Sequence, residues 1–117
     1  KLPIQYALAY PQRLANSYPR FNFMDYPSLT FEAPDLTAFQ NLQLAFDALK
    51  QGGNMPCVLN AANEVAVDLF LKEKIGFLEM SDLISNALAR VAFVAKPTLD
   101  DYVASDEEAR RVVQSGV

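Results

Sequence analysis

No histidine and no tryptophan occur in the 117 residues, and cysteine occurs once, at Cys57. Without histidine the chain lacks the usual general base near neutral pH, the commonest zinc ligand and every Ser/His or Cys/His pair, so self-contained hydrolytic catalysis is not expected. A single cysteine forms no internal disulfide, which fits a reducing compartment. Positive charge is also short, ten basic against fourteen acidic residues. That balance gives no electrostatic footprint for a nucleic-acid backbone or an anionic membrane, and neither partner is expected. No run reaches the roughly eighteen apolar residues of a membrane-spanning helix, so the segment is expected to be soluble. What is present is an apolar content of 51% in about the length of one ordinary domain, enough for a core. The first residue is Lys1 rather than Met, and the chain is read as a possible fragment of a longer protein.

Proline and aromatic residues crowd the amino-terminal third. Residues 3 to 10, "PIQYALAY", place Ile4, Ala7 and Leu8 on one helical face, with Pro3 suited to the first turn and Pro11 ending the element. Tyr-Pro then recurs at a spacing of eight, at Tyr10-Pro11, Tyr18-Pro19 and Tyr26-Pro27. Each proline biases the preceding residue towards extended backbone, so a long helix is excluded and residues 11–36 read as an extended strap. The units between the prolines share no hydrophobic pattern, against a structural repeat. The proline spacing does not build a compact polyproline helix, against a ligand for a proline-reading domain. Seven of the thirteen Phe and Tyr residues lie between Tyr6 and Phe31, and aromatics on an irregular strap need a surface to bury against. Within the strap "LTFE", residues 29–32, reads as one short β-strand whose pairing edge lies outside the sequence or in another copy.

From Asp35 or Thr37 the period becomes helical. Phe39, Leu42, Ala45, Phe46 and Leu49 form the apolar face of an amphipathic helix, opposite Gln40, Gln43, Asp47 and Lys50, and Gly52-Gly53 supplies a left-handed stop. A central helix is expected from Pro56 to about Lys74, with Val58, Ala62, Val65, Ala66, Leu69 and Phe70 inward. A third starts near Glu79 with Leu83, Ile84, Ala87, Leu88 and Val91 on its apolar face. After Pro97 one turn is expected over Leu99–Val103, followed by a capping box at Ser105 and Glu108 that launches the last helix. The fold class is therefore mainly α: a four-helix bundle-like domain over 37–117, preceded by the aromatic, proline-rich strap with its short strand.

The densest polar pattern is "LNAANEVAVD", residues 59–68. Asn60, Glu64 and Asp68 recur every four residues, with Asn63 beside them, a column whose oxygens suit a hard cation or phosphate. A column on one helix lacks ligands from other elements, and the favoured reading is structural, Asn60 or Asn63 satisfying backbone groups of the Gly52-Gly53 turn or the strap. Cys57 sits in a helix's first turn but has no cationic sequence neighbour, and it reads as a small hydrophobe. "QGGN", residues 51–54, follows a helix rather than a strand and lacks phosphate-loop spacing, so it reads as a helix stop. The acidic cluster Asp100–Glu108 is accounted for by carboxylates at helix starts.

"PIQYALAYP", "LTFEAPD", "VLNAANEVAVDLFLKEKIGF" and "LDDYVASDEEAR" occur in this order in the carboxy-terminal part of the 1-deoxy-D-xylulose 5-phosphate reductoisomerases, and the chain resembles that family over nearly its whole length. The resemblance implies a dimeric oxidoreductase/isomerase of the non-mevalonate isoprenoid route, in a bacterial cytoplasm or a plastid. Such an enzyme converts 1-deoxy-D-xylulose 5-phosphate to 2-C-methyl-D-erythritol 4-phosphate with NADPH and Mg2+ or Mn2+. It further implies that residues 1–10 end a catalytic domain, that 11–36 connect it to the helical domain 37–117, and that the Rossmann domain lies upstream. The family's dinucleotide loop, metal carboxylates and phosphate-binding residues match no position here. No catalytic, cofactor-binding or metal residue is therefore expected on this chain, no cofactor is expected on it, and alone it should be inactive and prone to self-associate. The role of Lys1, just beyond an active-site stretch of the family, stays open. The competing class is an autonomous helical module whose strap binds another protein.

Overall fold

The computed structural model describes residues 2–117, which leaves Lys1 outside the described residues. Two compact units divide the chain, one ending at Glu32 and the other running Ala33–Val117.

The first unit opens with α1, Leu2–Ala9, which buries none of its side chains. The chain then continues with turns but no regular element, as the prolines dictate. Two asparagines shape it locally, Asn16 Oδ1 accepting from Tyr18 N and Asn22 Oδ1 from Met24 N, both at 3.0 Å. Phe21 packs edge-on to Phe23 at 4.9 Å and stacks with Tyr26 at 5.2 Å, while Arg13 lies 4.8 Å above the Tyr6 ring. The strand expected at 29–32 is not formed. Leu29 and Phe31 are exposed on backbone with no regular assignment. A strand exists only by exchanging hydrogen bonds with a neighbour, and no second strand is present among the described residues.

The second unit is built from α2 (Gln40–Gln51), α3 (Met55–Leu71), α4 (Glu79–Arg90) and α5 (Leu99–Gln114). Asp35 opens it, its carboxylate accepting from the backbone N–H of Thr37 and Ala38 at 2.9 Å each, so the expected helix begins as one capped turn and becomes α2 only at Gln40. Gly52 and Gly53 stop α2 at φ +70° and +57°. A Cβ on Gly53 would collide with the Val94 carbonyl oxygen and the Phe93 ring, so this turn needs glycine twice over. Helix α3 ends at Leu71, three residues before the expected Lys74, because Glu73 adopts φ +56°. Lys74 N then donates to Leu69 O and Glu73 N to Phe70 O, a Schellman closure built on Glu where glycine is usual.

Helix α3 is central and packs against α2, α4 and α5. Ala61, Ala62, Ala66, Ala87 and Ala109 are fully buried, which lets the helix axes approach closely, while Met55, Val58, Ile84 and Val113 fill the space between. Each of these larger side chains contributes about 1.5–3 kcal/mol by leaving water.

Two further expectations are corrected. The last helix is continuous from Leu99: its capping box is Thr98 with Asp101, and Ser105 lies inside it, buried, donating to Asp101 O at 2.7 Å. Serine at the start of an acidic run imitates a cap, but here its hydroxyl back-bonds to the preceding turn. Helix α2 packs on α3 through Ala48, with Leu44 against the neighbouring core cluster; of the expected inward face Ala45 is half-buried, whereas Phe39 is 59%, Leu42 38%, Phe46 53% and Leu49 72% exposed.

Candidate functional site

The polar column on α3 does not converge. Asn60 Nδ2 donates to Glu64 Oε1 at 3.1 Å, Glu64 pairs with Arg110 of α5 at 2.7 Å, and Asp68 pairs with Lys72 at 2.7 Å. Arg110 also binds Asp106 at 2.7 Å through Nε. The two carboxylates of the column thus face different cations, Arg110 and Lys72. Glu64 is held below the usual carboxylate range by the hydrogen bond and then the charge of Arg110, with a smaller part from Asn60. Arg110 is pushed further up by its hydrogen bonds to Asp106 and Glu64. Asn60, Asn63 and Glu64 are all exposed, and among the described residues no cluster of acidic and cysteine side chains has the geometry of a metal site. The motif clamps α3 to α5 at the surface, where solvent screening leaves such pairs worth little.

The backbone-satisfying asparagine is Asn54, the last letter of "QGGN", which sequence reasoning passed over as part of a helix stop. It is fully buried. Its Nδ2 donates to Ala92 O and to Ser105 Oγ, both at 2.9 Å, and its Oδ1 accepts from Val94 N at 2.8 Å. Its own N–H donates to Val94 O at 3.1 Å. One side chain therefore ties the α2–α3 turn, the α4–α5 connection and the middle of α5 together. A usable signal existed: a polar residue directly after two left-handed glycines and before an apolar helix start, with no helical partner for its amide.

Cys57 is half-buried, its Sγ donating weakly to Tyr102 O at 3.6 Å. Burial, followed by the charge of Asp106, raises its thiol pKa against the opposing pull of Arg110. That is the reverse of the electropositive setting a reactive thiolate needs. Asp101 is held below its usual range by the backbone N–H of Thr98 and then by the Thr98 hydroxyl, so it is occupied as a cap. The arrangement can hold helices together.

The family described as the DXP reductoisomerase C-terminal domain matches residues 1–112. The 1-deoxy-D-xylulose 5-phosphate reductoisomerase of Phocaeicola vulgatus is 55% identical over 115 residues, which are 98% of this chain and 30% of that protein. The protein of the same name from Acetivibrio thermocellus is 50% identical over 114 residues, 97% of this chain and 30% of its own length. Among solved structures, the 1-deoxy-D-xylulose 5-phosphate reductoisomerase of Zymomonas mobilis in complex with NADPH matches with a TM-score of 0.84 at 39% identity, over 97% of this chain and 30% of that one. A DOX-P reductoisomerase in complex with magnesium matches with a TM-score of 0.82 at 30% identity, over 97% of this chain and 31% of that one. The chain thus spans about 30% of the length of the curated relatives it matches. With a family model covering almost every residue, the chain belongs to the DXP reductoisomerase C-terminal domain family.

Proposed function

We propose that this chain is the carboxy-terminal structural portion of an enzyme that rearranges 1-deoxy-D-xylulose 5-phosphate and reduces it with NADPH, in the presence of Mg2+ or Mn2+, to 2-C-methyl-D-erythritol 4-phosphate. The observation that carries this reading is the asymmetry of coverage: nearly the whole chain aligns, yet it accounts for under a third of each relative. The residues present do not fit the cofactor or the metal. The glycine turn follows a helix, its second glycine is crowded by Val94 and Phe93, and Glu64 and Asp68 are neutralised by Arg110 and Lys72. The chemistry therefore belongs to polypeptide ahead of residue 1, and this chain supplies no catalytic, cofactor-binding or metal residue. Residues up to about 10 close the catalytic domain, 11–36 connect, and 37–117 brace. The intact enzyme is a homodimer of the bacterial cytoplasm or a plastid.

The test is to mix the 117-residue chain with substrate, Mn2+ and NADPH and follow the absorbance of the reduced cofactor. No turnover is expected until the upstream portion is supplied; turnover by this chain alone defeats the proposal. Phe23 and Phe31, 77% and 89% exposed, make the isolated chain self-associate, which sedimentation across a dilution series checks. A single monomeric species throughout is the contrary result.

A further inference from the structure

We draw no further inference here: the strongest candidate, the exposed apolar stripe of Phe39, Leu42, Phe46 and Leu49 along α2, carries nothing because nothing in the structure shows what covers it.

Discussion

Replacing Asn54 by alanine removes three hydrogen bonds, but their loss is not uniform. Ala92 belongs to an exposed position, and water can take over its carbonyl; Ser105 keeps its bond to Asp101 O. Val94 is half-buried, and its N–H, which donates to Asn54 Oδ1 at 2.8 Å, is left without a partner. An orphaned buried donor costs about 1–3 kcal/mol, and the small cavity left in a fully buried site adds roughly 1 kcal/mol. A total of about 2–4 kcal/mol in a helical unit of this size lowers Tm by roughly 10–20 °C. Circular dichroism melts at constant pH measure it, with Asn60→Ala as the control. Asn60 is exposed and bonds only Glu64, so its loss should stay within about 0.5 kcal/mol. If Asn54→Ala melts within a few degrees of the parent, or if Asn60→Ala costs as much, the buried junction is not what holds the three segments together.

Gly53→Ala should destabilise by more than about 2 kcal/mol, since it combines a left-handed backbone with a collision against Val94 O, and Gly52→Ala, although its Cβ meets open space, should cost about 1–3 kcal/mol because φ +70° with ψ −148° is backbone that only glycine adopts readily; chemical denaturation midpoints measure both, and a midpoint unchanged in either refutes the need for glycine there. Thr98→Ala removes the cap of α5 and should cost about 1 kcal/mol, read as a lower Tm with the fold retained. Asn41 Oδ1 is buried with no hydrogen-bond partner, so Asn41→Leu should raise Tm, and a fall would show that its amide matters more than its unmet acceptor. Asp101 and Glu64 both have folded pKa values below the unfolded ones, so their contribution is present above about pH 4–5 and is lost as pH falls through the lower folded values. Tm should decline on acidification below that window, less steeply in Glu64→Gln; stability that rises as pH falls from 5 to 3 would contradict the sign.

Helix positions were legible where apolar period and punctuation agreed. The start near Glu79 and the stop at Gly52-Gly53 follow from residues that have few other local uses. The end of α3 was not legible, because Glu73 takes a conformation for which glycine is the ordinary signal. Ser105 misled because one hydroxyl serves equally as a cap or as a back-bond to the preceding turn, and only the buried amide of Asn54 beside it decides which. Asn60 and Asn63 attracted notice by density within one helix, while Asn54 binds groups 38 to 51 residues away, a relation no local pattern encodes.

The face of α2 illustrates the limit more sharply. Periodicity reports that a helix has an apolar stripe, but it cannot say what lies against that stripe. The largest side chains, Phe39, Phe46 and Leu49, dominate any sequence-based estimate of the inward face, yet the residue of α2 buried against α3 is Ala48, because close approach of helix axes favours small residues.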